Sequence, residues 1–135
     1  MQSFEQIRAH VGAGYRVTTS DPYLIGIELR LDDGRRRQGI FLTELEGDDG
    51  RKYLRVSTSI APMTGLDARR ALQFNWQQRM GYLAQSELDG VPYLHLCENC
   101  PYDVLDAGEI DRLVIEIGGL GDTLERAFSA GGDLF

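Results

Sequence analysis

Hydrophobic and polar positions alternate with a period of two in the first part of the chain. Within residues 23–31 the odd-numbered positions are apolar, whereas the even-numbered positions include a glycine and two charged residues. Successive side chains of a strand point to opposite faces, so this alternation predicts a half-buried β-strand. The segments 35–45 and 52–60 predict two further strands. Asp-Gly pairs at 33–34 and 49–50 supply the positive-φ residues of hairpin turns, which predicts a three-stranded antiparallel meander.

The second of these strands carries apolar residues on both faces. Ile40 and Leu42 share one face, and Phe41 and Leu45 share the other. This pattern predicts a central strand covered on both sides, or covered on one side by a second subunit.

Three helices are predicted around the strands. Ser3 begins the first as its N-cap, Asp67 is the candidate N-cap of a helix over 68–79, and Asp106 begins the last. The apolar stripe of the last helix consists of Ile110, Leu113, Val114, Ile117, Leu120, Leu124 and Phe128. Glycines at 118, 119 and 121 interrupt it, and we expect them, Gly119 included, to mark close packing or a kink.

A hairpin is predicted between the second and third helices. Its turn is Asp89-Gly90, and Pro92 places its second arm at an edge or a bulge. The predicted class is α+β in the order α-β-β-β-α-β-β-α, an antiparallel sheet of about five strands with helices on one face. Residues 15–20 are either a short extra edge strand or an extended lead-in.

Composition narrows the classes of function. The 135 residues fit one domain, 1–135, and no segment has the length or apolarity of a membrane span or of a secretory signal, so the cytoplasm is expected. A net charge of −7 argues against nucleic-acid binding, because phosphates require a basic surface. No catalytic constellation is recognisable, which predicts that the protein is not an enzyme and needs no cofactor.

Cys97 and Cys100 form one CxxC motif, which supplies half of a four-ligand zinc site or a redox pair. His95 lies on the same strand face as Cys97, and no fourth ligand is apparent. A redox motif requires a helix start that lowers the thiol pKa, but this motif ends a predicted strand. We therefore expect Cys97 and Cys100 to be two ordinary thiols. The alternative is that they serve a thiol- or metal-sensing regulator.

Three aromatic residues are the candidates for contact with a partner protein: Trp76, Tyr82 and Tyr93. Core or subunit packing is the simpler explanation for Trp76, and an exposed recognition anchor is the other. An extended partner segment is expected to add to a sheet edge or to lie across apolar patches.

The element order, together with the run ALQFNW, GYLAQSELDG and YLHL, resembles the type III secretion chaperone-like fold, which includes the YbjN-like bacterial proteins. In this resemblance Leu72 and Asn75 occupy the family's helix positions, and Gly81 begins the next strand. The resemblance covers nearly the whole chain. It implies a small acidic cytoplasmic protein, usually a homodimer, that binds another polypeptide and is not an enzyme.

Overall fold

The computed structural model describes residues 1–129 of the chain. Its helices are α1 (Phe4–Gly14), α2 (Ala68–Gln77) and α3 (Ala107–Ser129). Its strands are β1 (Arg16–Asp21), β2 (Leu24–Leu31), β3 (Arg36–Glu46), β4 (Lys52–Pro62), β5 (Tyr82–Leu88) and β6 (Val91–Pro101). A short 3-10 helix, Tyr102–Val104, connects β6 to α3.

The six strands form one antiparallel sheet in the order β1-β2-β3-β4-β6-β5. The predicted α+β class is confirmed, and the strand beyond the predicted five is β1. Strand β1 has the sequence RVTTSD, and all six residues are exposed. It has no buried apolar face, so no alternation of apolar and polar residues indicates it in the sequence. The Asp89-Gly90 hairpin turn is also confirmed, since both residues adopt positive φ, 51° and 80°.

Helices α1 and α3 cover one face of the sheet. The odd-numbered apolar positions of β2 point toward them, as the alternation predicts, and Leu54 and Val56 of β4 do the same. Most of the apolar stripe of α3 is buried in this core, including Leu113 with an exposed fraction of 2%. Helix α3 is therefore the main cover of this face.

The glycines of α3 do not break the helix, which runs continuously through all three of them. A Cβ on Gly118 would overlap Leu29 Cδ2, and a Cβ on Gly121 would overlap Thr58 Cγ2. These two glycines therefore allow α3 to approach the sheet closely. A Cβ on Gly119 would meet nothing within 4 Å, so the expectation of close packing or a kink at Gly119 is wrong.

Polar contacts fix α1 and the 3-10 segment to the rest of the chain. Asp111 of α3 accepts a hydrogen bond from Tyr15 Oη at 2.8 Å and lies 3.0 Å from His10 Nε2. Tyr102 Oη donates to Glu44 Oε1 at 3.0 Å. Each contact joins segments that are far apart in sequence, so each contributes to the tertiary structure.

Helix α2 lies beside β5 at the edge of the sheet and is mostly exposed. Phe74 is its buried residue, whereas Leu72 is 69% exposed and Trp76 is 90% exposed. Asp67 caps the helix, as predicted, by accepting a hydrogen bond from the Arg69 amide at 3.0 Å.

Candidate functional site

The face of the sheet that points away from α1 and α3 carries a groove. The strand register sets its side chains in rows. One row runs Leu24, Thr43, Arg55, Asn99 across β2, β3, β4 and β6. The next runs Phe41, Ser57, Cys97, Tyr82 across β3, β4, β6 and β5. The resulting open-face groove has a volume of about 470 Å³.

The lining of the open-face groove combines small and large side chains. Ser57, Ser59 and Ala84 are small, whereas Phe41 and Tyr82 are large. Because small side chains leave space above the sheet, the register that brings them together on one face creates the groove. The alternation in β4 predicts this face, but it does not indicate which residues of the neighbouring strands lie beside it.

Arg55 is held in the groove by one side-chain hydrogen bond. Its Nε donates to Asn99 Oδ1 at 3.3 Å, and Tyr82 Oη donates to the same oxygen at 3.1 Å. Arg55 is partly buried, yet no carboxylate of residues 1–129 lies within salt-bridge distance of it. The other partly buried arginines, Arg8, Arg36 and Arg70, each pair with an acidic side chain.

His95 lies on the same face, in the next row along β6. Its Nδ1 is 3.3 Å from Ser59 Oγ, and its ring lies against Tyr93 with centroids 6.0 Å apart. Burial lowers the pKa of His95, which favours the neutral imidazole. Nε2 is buried and has no hydrogen-bond partner within the described chain. A buried nitrogen without a hydrogen-bond partner is energetically costly.

The two cysteines do not form a pair in this structure. Cys97 and Cys100 are three residues apart on β6, so they lie on opposite faces of the sheet. Three residues of strand span about 10 Å, whereas the Cα atoms of a disulfide are about 4.4–6.8 Å apart. Both thiols are buried, and burial raises the pKa of each. This placement fits two ordinary thiols and disfavours a redox pair or a shared metal site.

Trp76, Tyr82 and Tyr93 do not converge on one site. Tyr82 lines the open-face groove, whereas Tyr93 lies against the His95 ring and lines a separate pocket. Trp76 lies on the outer side of α2, four residues after Leu72, so both side chains share one helix face. We call this pair the α2 ridge. The sequence does not predict this exposed pair, because the apolar residues of α2 do not form one continuous stripe.

The two edge strands of the sheet differ in whether their outward-facing backbone N–H and C=O groups have hydrogen-bond partners. At the β5 edge, the Asn75 side chain bonds both backbone groups of Leu83: the Leu83 amide donates to Oδ1 at 2.7 Å, and Nδ2 donates to the Leu83 carbonyl at 3.1 Å. Asn75 thus acts as a short substitute for a neighbouring strand. Strand β1 forms the other edge, and in the part of the chain that the structure describes no strand pairs with its outer side.

Within residues 1–129, no cluster of three or more His, Cys, Asp or Glu side chains has the geometry to hold a metal ion. In the same range, no helix is both long and apolar enough to cross a membrane.

Solved structures of other proteins share this fold. No family model and no curated protein matches the sequence. A chain of the HopA1–SchA chaperone–effector complex matches with a TM-score of 0.61 and 12% identity over 92% of this chain and 94% of that chain. A chain of the ExsC–ExsE complex matches with a TM-score of 0.64 and 16% identity over 93% and 96%. YbjN from E. coli matches with a TM-score of 0.60 and 12% identity over 96% and 93%. The chain therefore has the type III secretion chaperone-like fold that it shares with YbjN, as the sequence resemblance implies.

Proposed function

We propose that this protein is a non-catalytic, dimeric module that binds another polypeptide, as a chaperone-like protein or a regulatory adaptor. The α2 ridge is the observation that carries the proposal. Leu72 and Trp76 are 69% and 90% exposed and share one helix face. Large apolar side chains grouped on a surface are typical of protein contact sites, and tryptophan is the residue most enriched among energetic hot spots.

In the proposed dimer, the α2 ridge packs against the same ridge of a second copy. A two-fold contact brings each residue of a patch close to its own counterpart or a near neighbour, so one short apolar ridge serves both subunits. Asn75 supports this arrangement, because it fixes the end of α2 to the edge of β5 and so holds the ridge in place.

The polypeptide partner binds at the outer edge of β1 in this proposal. An extended segment adds to a sheet by forming main-chain hydrogen bonds with an open edge. Strand β1 offers six exposed residues without an outer neighbour strand among the described residues. The β5 edge is less suitable, because Asn75 already occupies the backbone groups of Leu83.

The solved structures support the same class of role. Two of the similar chains come from complexes, HopA1–SchA and ExsC–ExsE, and the first is named as a chaperone–effector complex. The third similar protein, YbjN, is from E. coli. On this basis we also propose that the protein works in a bacterial cytoplasm and is not an enzyme.

Light scattering coupled to size exclusion tests the dimer. The wild-type protein should have about twice the chain mass of 15.1 kDa at micromolar concentration. The double variant Leu72→Ala/Trp76→Ala should be a monomer with a wild-type circular dichroism spectrum, since both side chains are exposed. Tyr23→Ala removes a large side chain, 65% exposed, at the β1–β2 turn and should remain dimeric. A wild-type mass equal to one chain would refute the dimer.

Photo-crosslinking in the native host tests the two surfaces separately. A benzophenone amino acid in place of Trp76 should crosslink to a second copy. The same probe in place of Thr19 of β1 should crosslink to a different polypeptide, identified by mass spectrometry. Asp89, in the β5–β6 turn, is the control position. Equal crosslinking from positions 19 and 89 would contradict partner binding at β1, whatever the outcome for the dimer.

A further inference from the structure

We propose that the open-face groove binds a small organic acid, that is, a carboxylate joined to an apolar or aromatic body. This inference concerns a surface other than the α2 ridge and β1. It does not depend on the proposed polypeptide partner.

The charge of the groove favours an anion. Arg55 is partly buried, and only its Nε makes a hydrogen bond among the side chains of residues 1–129. Its terminal nitrogens remain available in a protein whose net charge is −7. A guanidinium binds a carboxylate through two parallel N–H···O bonds, which is the strongest polar contact that an unpaired arginine offers.

Asn99 holds the cation in position before any ligand arrives. Its Oδ1 accepts from both Arg55 Nε and Tyr82 Oη, so one side chain fixes the charged group and the adjacent aromatic ring. A side chain that is already ordered loses less conformational entropy on binding. Asn99 is therefore a positioning residue, and Arg55 is the binding residue.

The remaining lining suits the apolar part of such a ligand. Leu24, Phe41 and Leu88 contribute apolar surface, and Ser57 and Ser59 leave space above the centre of the sheet. A volume of about 470 Å³ lies within the usual range of about 300–1,000 Å³ for small-molecule sites.

Two further features of the lining bear on the ligand. Among the described residues that line the groove, Glu87 is the single carboxylate, and it lies on β5, so a second negative charge on the ligand would be disfavoured there. His95, which also lines the groove, has a buried Nε2 without a partner in residues 1–129. The negative charge of Glu87 therefore favours a monoacid over a diacid.

An NMR titration tests the site with named probes. The ¹⁵N-labelled wild-type protein is titrated with 4-phenylbutyrate and, separately, with 4-phenylbutyramide, which has the same body without the charge. With 4-phenylbutyrate, saturable chemical-shift changes should appear at the backbone amides of Thr43, Ser57 and Cys97. The uncharged 4-phenylbutyramide should bind at least tenfold more weakly. Equal affinity for the two probes, or shifts elsewhere on the protein, would overturn the proposal.

Two variants and a control identify the residues responsible. Arg55→Gln removes the charge, and Asn99→Asp places a carboxylate against the guanidinium as an internal competitor. Each should weaken 4-phenylbutyrate binding at least tenfold while the rest of the spectrum remains that of the folded protein. Arg51→Gln removes an exposed charge from the β3–β4 turn and should bind as the wild type does. Wild-type affinity in both groove variants would refute the site.

A dilution series separates a ligand site from a self-association surface. If a second copy covers the groove, its amides will shift with protein concentration alone, and that result would contradict the proposal. If light scattering finds a monomer but the acid still binds through Arg55, the dimer fails and the groove site stands. The two proposals are thus tested independently.

Discussion

At the scale of single residues, the three glycines of α3 have different surroundings. Gly118 and Gly121 lie where the helix meets the sheet, and Gly119 faces open space. The sequence places all three within one turn, so their spacing alone cannot separate them. The outcome depends on which side of the helix faces β2 and β4, and that is a tertiary property.

We predict opposite effects for two alanine substitutions in this turn. Gly121→Ala should destabilise the protein by about 1–3 kcal/mol, because the new methyl group would overlap the stiff, buried side chain of Thr58. Gly119→Ala should stabilise it by about 0.5–1 kcal/mol, the usual gain in an open helix interior. Urea unfolding of both variants gives the comparison. If Gly119→Ala loses stability, the placement of α3 is wrong.

At the scale of elements, helix α2 shows where pattern analysis fails. Phe74 and Trp76 are two positions apart, a spacing that puts them on different sides of a helix. With Leu72 also apolar, the sequence does not show which side is buried. The structure settles this through Asn75, whose amide reaches the β5 backbone and fixes the rotation of the helix.

Removing the Asn75 side chain should therefore loosen both α2 and the end of β5. We predict that Asn75→Ala costs about 1–3 kcal/mol, because it leaves the two backbone groups of the buried Leu83 without partners. Gln73→Ala, an exposed change on the same helix, should have little effect. Hydrogen exchange gives a local readout: the Leu83 amide should exchange faster in Asn75→Ala only. Unchanged protection at Leu83 would show that the contact is not formed in solution.

At the scale of the whole molecule, two tyrosine–carboxylate contacts join distant segments and make stability depend on alkaline pH. Burial and the hydrogen bond to Asp111 raise the pKa of Tyr15 to about 12. Burial and the hydrogen bond to Glu44 raise the pKa of Tyr102 in the same direction. In the unfolded chain a tyrosine has a pKa of about 10.

The sign of the effect follows from these shifts. A raised pKa in the folded state means that the stabilisation is fully present below pH of about 10 and is lost as the pH rises through about 12. We predict that the free energy of unfolding falls over this interval and falls less in Tyr15→Phe. Denaturant melts across the interval measure it, with Tyr23→Phe as an exposed control. Parallel pH profiles for wild type and Tyr15→Phe would contradict the assigned contact.

The sequence predicts the framework well, because alternation, capping residues and Asp-Gly turns are local properties. β2 to β6 and the caps at Ser3, Asp67 and Asp106 follow from them. The open-face groove cannot be predicted in this way, because it depends on the register across five strands. Arg55 has no distinctive sequence context, and its missing carboxylate partner is visible only in three dimensions.

The unequal edges of the sheet also limit how many chains can join it. Endless growth by strand addition requires two complementary open edges on every subunit, because each copy must both receive a strand and offer one. Here Asn75 obstructs one edge at Leu83. If a partner segment adds at β1, as proposed, the expected stoichiometry is therefore one bound segment per subunit.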